Sequence, residues 1–135
     1  MARAIIDTNV FVAAGFRAGS ASAALLELAA AGTLVQVWSE ATRAETREVL
    51  TRIPRLSWPA IAPLFTPQGQ VEAPRDLAPV VFVADPADRK FAALALATGT
   101  PLVSSDDDLL AHAGRLPVYT PGAFLRALEG DATSA

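Results

Sequence analysis

Ala4-Ile5-Ile6-Asp7-Thr8-Asn9-Val10 is the stretch that decides how this chain is read. Three consecutive apolar residues are too few for a helix and read as a buried strand. The strand ends on a carboxylate, Asp7. Thr8-Asn9 then supply turn or N-cap chemistry ahead of the apolar Val10 to Ala14. The same order returns late in the chain. Leu102-Val103-Ser104 reads as a strand, and Ser105-Asp106-Asp107-Asp108 opens a short helix behind it, ending near Gly114. Two strands that each run into an aspartate define the edge where chemistry is expected.

Outward from these two strands, the pattern alternates. Gly15 to Ser20 reads as a loop, and Ala21 to Ala31 suits a helix with Gly32 as its C-cap. Leu34 to Trp38 is a strand candidate. Ser39 caps a helix to about Arg52, stopped by Pro54. Six prolines between Pro54 and Pro79 exclude long helices there; a short helix near Trp58 to Leu64 and a short strand near Gln70 to Ala73 are expected. Asp85-Pro86 is a cap followed by proline at the first helical position, so a helix runs to about Thr98 and ends at Gly99. Pro117 to Tyr119 is a last strand and Pro121 to Leu128 a last helix. Strands alternating with helices predict an α/β fold, a mainly parallel sheet covered by helices on both faces. One domain is expected over residues 1–128, with a polar tail, 129–135, that frays.

Composition narrows the function. The chain has 135 residues, 52% of them hydrophobic and 19% charged, enough for a real core. It has no cysteine and one histidine, His112, which excludes thiolate and His-rich zinc sites. Net charge is −3, so no broad basic coat exists for nucleic acid, although a local patch remains open. Mean hydropathy is +0.34, much of it from alanine. No run reaches the length of a membrane span and the N-terminus lacks the long apolar core of a signal peptide, so no membrane and a cytoplasmic location are expected.

The acids fall at the seams. Asp7 and Asp106 follow strands, where parallel α/β sheets bind ligands. Asp85 and Asp88 open the helix before the second of these strands. Glu45 and Glu48 lie on the helix after Ser39. Two carboxylates about 4 Å apart repel by roughly 4 kcal/mol at an effective dielectric of 20, so protons or a cation must offset the cluster. All-oxygen ligands favour a hard divalent ion such as Mg²⁺ or Mn²⁺. A plainer account also exists: acids at helix N-termini complement the helix dipole, which is the preferred reading of Asp107, and Asp85 equally suits a simple N-cap. Glu48 reads as a solvated residue paired with Arg52.

Ile5 to Val10, Ser39 to Arg52 with Glu45, Asp85 to Phe91 and Leu102 to Leu110 together resemble the four segments of PIN domains, in family order. Serine stands at position 104 where the family usually shows threonine, and the hydroxyl is kept. The nearest branch is similar to VapC-like toxins of toxin–antitoxin pairs. The resemblance implies a PIN-like three-layer α/β/α fold and a Mg²⁺- or Mn²⁺-dependent ribonuclease leaving a 5′-phosphate and a 3′-hydroxyl. It implies a catalytic, metal-binding quartet of Asp7, Glu45, Asp88 and Asp106, with Asp85 and Asp108 as further acids. Asn9 and Ser104 would orient the acids or hold the metal's water. It also implies an RNA substrate, a cognate antitoxin and a homodimer. Arg17, Arg43, Arg47, Arg89 and Lys90 are candidates to guide phosphates, and Leu25, Leu28 and Gly32 a candidate dimer face. Trp38 and Trp58 read as core or interface. Two rival readings remain: a non-catalytic PIN-like module binding RNA or protein, and a phosphatase or receiver-like domain phosphorylated on Asp7.

Overall fold

The computed structural model describes residues 1–134. Four strands form one sheet: β1 (Ala2–Ile6), β2 (Leu34–Gln36), β3 (Leu102–Val103) and β4 (Val118–Tyr119). All pairs are parallel and the spatial order is β2-β1-β3-β4. Helices α1 (Thr8–Phe16), α2 (Ala21–Ala30), α3 (Glu40–Arg52), α4 (Trp58–Ile61), α5 (Arg89–Thr98), α6 (Asp107–Leu110) and α7 (Pro121–Ser134) connect and cover it.

Alternation along β1 builds the layers, because successive strand side chains point to opposite faces. Ala4 and Ile6 join Val10, Phe11, Leu25, Leu50, Phe65 and Phe124 on one face. Ile5 joins Val37, Phe91, Leu94, Leu102 and Leu109 on the other. The result is the expected α/β/α architecture with two cores. Phe11 and Phe91 are almost fully buried, one in each core; truncating either to alanine would cost about 3–5 kcal/mol.

Register places the functional edge. Ile5 lies opposite Leu102 and Ile6 opposite Val103. The ladder continues one step further, with Asp7 N–H donating to the Val103 carbonyl at 2.9 Å and Ser104 N–H to the Tyr119 carbonyl at 2.9 Å. Asp7 and Ser104 therefore leave the sheet side by side. Gly99, in the left-handed conformation at φ 66°, ends α5 and turns the chain into β3.

Several elements differ from the sequence expectation. The strand expected at Gln70 to Ala73 is one bridge, Trp38 to Gln70, flanked by hydrogen bonds of Trp38 to Gly69 and Val71. Pro67 and Pro74 bracket this segment and leave no room for a longer ladder. Gly69 makes the approach possible: a Cβ there would sit 1.6 Å from the Gln36 carbonyl oxygen. The helix expected from Asp85 begins as a tight 3₁₀ turn, Pro86–Asp88, and becomes α-helical only at Arg89. The last helix passes Leu128 and continues to Ser134, with no proline to interrupt it. No single helix among the described residues is long and apolar enough to cross a membrane.

Candidate metal centre

Three carboxylates converge at the carboxyl edge of the sheet. Asp7 ends β1, Asp106 follows β3, and Asp88 closes the tight turn before α5. One oxygen from each lies within 4.8 Å of the others. Asp7 is buried, and Asp88 and Asp106 are half-buried. Local capping positions two of the three. Asp106 Oδ1 accepts from Asp108 N–H at 2.9 Å and caps α6, while Asp85 Oδ1 accepts from Ala87 N–H at 2.9 Å and shapes the turn that carries Asp88.

Ser104 ties the edge together. Its hydroxyl donates to Asp7 Oδ2 at 2.7 Å and accepts from Asp106 N–H at 3.0 Å. It is fully buried, so one hydroxyl fixes two of the acids. Threonine and serine serve equally here, because only the Oγ is used. Asn9 ties two of the edge segments together. Its Oδ1 accepts from Ser105 N–H at 3.3 Å, which joins the first turn of α1 to the loop after β3.

The electrostatics match the crowding. Asp7 is raised from an ordinary 3.8 to about 6: burial raises it most, the Ser104 hydrogen bond opposes this, and the charges of Glu45 and Asp106 add to it. Asp88 is raised to about 7, first by burial, then by contact with the Asp106 carboxyl, then by the charges of Asp106, Asp7 and Asp85. That carboxyl contact favours a proton on Asp88, whose Oδ2 is buried and has no hydrogen-bond partner. A buried acceptor left bare beside two other acids is costly. The donor set is all oxygen, and a hard divalent cation would satisfy the bare atom and offset the repulsion together. The residues fit such an ion.

Glu45 stands apart from the three-oxygen cluster. Lys90 Nζ donates to its Oε1 at 2.9 Å and Thr8 Oγ1 to its Oε2 at 2.9 Å. Thr8 Oγ1 also meets Thr46 Oγ1 at 3.0 Å. Asp85 and Asp108 are exposed at the rim. The sequence reading missed Thr8 and Thr46 and gave Lys90 another task. The available signals were that Lys90 is the chain's only lysine and that Thr8 directly follows Asp7.

Other expected residues fall elsewhere. Arg89 donates to the Val83 and Val81 carbonyls at 2.9 and 3.3 Å and so braces the loop ahead of Asp85. Arg43 stacks over Trp58, 5.1 Å from the ring centroid, while Arg17 and Arg47 are exposed. Trp38 is core, with Nε1 donating to the Thr66 carbonyl at 2.8 Å. Trp58 packs on the same core through Phe65. Leu25 is fully buried, so it offers nothing to a dimer face. His112 lies edge-on to Phe82, with ring centroids 4.8 Å apart.

A parallel α/β/α sheet whose carboxyl edge gathers three aspartates around a bare buried oxygen defines a class: an α/β domain with an acidic site able to take a metal ion. The profile of the PIN domain family matches residues 3–108, a span that takes in every acid of the site. The chain belongs to the PIN domain family, whose members are generally nucleases. Comparison with curated proteins and with solved structures gives no match. Family membership also displaces the receiver-like reading of Asp7.

Proposed function

We propose that the chain is a Mg²⁺- or Mn²⁺-dependent endoribonuclease and the toxin of a toxin–antitoxin pair, acting in the cytoplasm as a homodimer restrained by its antitoxin. The observation that carries the nuclease reading is the convergence of Asp7, Asp88 and Asp106 within 4.8 Å around the partnerless Oδ2 of Asp88. The toxin role draws its support from the resemblance of the four sequence segments.

Asp7, Asp88 and Asp106 would hold the cation. A bound divalent ion supplies Lewis acidity at the phosphoryl oxygens and a nucleophilic water near neutral pH. The chain's own residues set the stage for this. Ser104 holds Asp7 and the backbone of Asp106 in fixed relation. Thr8 and Lys90 fix the Glu45 carboxylate beside the cluster, where it is poised to orient the attacking water. Exposed Arg17 and Arg47 are among the cations available to meet RNA phosphates on an acidic chain.

Incubation with single-stranded RNA and Mn²⁺ tests the activity. Cleavage is expected from the parent and none from Asp7→Asn; an active, folded Asp7→Asn protein would overturn the assignment. Expression without an antitoxin should stop bacterial growth, and growth equal to that of the Asp7→Asn control would remove the toxin role. Light scattering after size exclusion should give twice the chain mass if the homodimer is right.

A further inference from the structure

Both oxygens of Glu45 are already in use. Lys90 Nζ holds Oε1 and Thr8 Oγ1 holds Oε2, each at 2.9 Å. The ion pair is shielded, with side chains 30% and 21% exposed. By contrast, the Arg52–Glu48 pair on the outer face of α3 is 74% and 60% exposed. Lys90 sits in the first turn of α5, two residues after Asp88, so the element that delivers Asp88 to the cluster also delivers the ammonium to Glu45.

We infer that Lys90 is a positioning residue that withholds Glu45 from the cation, so that Asp7, Asp88 and Asp106 take one divalent ion rather than two. This rests on the metal-dependent reading above. Charge balance favours it. Three aspartates and one dication leave a single negative charge, and the Glu45–Lys90 pair adds none. A second dication would bring these four acids and Lys90 to a net +1 whether or not Glu45 turned to it. Turning would break a shielded ion pair and leave the Lys90 ammonium facing two dications without its partner. Lysine suits this role as a compact point charge that fills the place of a second cation. Glu45 is thereby kept as a fixed, unmetallated carboxylate.

Mn²⁺ titration calorimetry on the full chain tests the inference, with circular dichroism confirming the fold of each variant. The parent should bind one Mn²⁺. Glu45→Gln should also bind one, more weakly because the Lys90 ammonium is left without its partner beside the cation, but with the stoichiometry unchanged since the residue removed is not a ligand. Lys90→Met frees Glu45 and should raise the stoichiometry to two. Lys90→Arg, which restores the charge, and the double variant Lys90→Met/Glu45→Gln should both return it to one. A purely structural role for Lys90 would not move stoichiometry in this pattern.

Two results would overturn the inference: a parent that binds two Mn²⁺ and loses one in Glu45→Gln, or a folded Lys90→Met protein that binds as the parent does. If Lys90→Met fails to fold, the parent and Glu45→Gln still decide the matter. Failure of the wider reading looks different. A parent that binds no Mn²⁺, or an Asp88→Asn protein that binds as well as the parent, removes the cation site itself and this inference with it.

Discussion

The three-aspartate cluster and the Glu45 arm beside it are both gatherings of acid at one edge of one sheet, yet their surroundings are opposite. In the cluster, Asp88 keeps a buried oxygen without a partner and two acids are pushed well above the ordinary carboxylate range. In the arm, an ammonium and a hydroxyl satisfy both oxygens of Glu45. The difference shows that acidity alone does not make a metal site. A fold that supplies a lysine to one carboxylate and withholds every donor from an oxygen of another has sorted them into different tasks.

The strongest way to break this comparison is to neutralise the bare acid. Asp88→Asn should lower RNA cleavage by on the order of 10³-fold or more if the cluster holds the catalytic cation. Because the substitution removes a repelled charge, its melting temperature should equal or exceed the parent's. A fall in cleavage matched by unfolding would point to a structural acid instead.

Proton linkage sharpens the same contrast in metal-free protein. Asp7 and Asp88 have folded pKa values above their ordinary 3.8, so the folded state binds more protons than the unfolded one between about pH 4 and 7. Their contribution to stability is thus full below 3.8 and is lost as pH rises through about 6 and 7. For the buried Asp7, the displacement corresponds to about 3 kcal/mol. Denaturant melts in chelator should show stability falling from pH 5 to pH 7, and Mn²⁺ should reverse the slope by binding the deprotonated acids. A slope unchanged by Mn²⁺ would detach the raised values from cation binding.

Ser104→Ala probes the link between Asp7 and Asp106. Losing that hydroxyl should weaken Mn²⁺ binding by about 10–100-fold, the usual range for residues that orient metal ligands. Calorimetry would measure it, and Ser104→Thr should restore the parent value. The smallest effect is expected from Glu48→Ala. Its exposed pair with Arg52 should contribute under about 0.5 kcal/mol in chemical denaturation, with Mn²⁺ binding unchanged. A larger loss would blur the line drawn between the shielded and the exposed ion pair of α3.

How much of this was legible in the sequence depends on range. Asp7 and Asp106 were visible because each follows a short apolar strand; parallel pairing sets Asp7 beside Ser104, whose hydroxyl then ties Asp7 to the backbone of Asp106. Asp88 is visible as an acid behind the Asp85-Pro86 cap, but the local pattern predicts plain helix and not the tight turn that aims it. The Glu45–Lys90 pair could not be read, because it depends on how α3 and α5 meet across 45 residues of chain. Nor could the proline-rich segment. It has no period to follow, and its order comes from Phe65 packing against Phe11, Trp38 and Trp58 at ring-centroid separations of 5.8, 5.5 and 5.4 Å. Basic residues misled for a related reason: Arg89, Arg43 and Lys90 each found a partner inside the fold that charge counting does not reveal.

The most direct test of the central claim is Mn²⁺ titration calorimetry of the parent beside Asp88→Asn. Saturable Mn²⁺ binding in the parent that disappears in a folded Asp88→Asn protein is the predicted result. A parent that does not bind Mn²⁺, or a variant that binds it equally well, would contradict the assignment of the three aspartates as the metal centre.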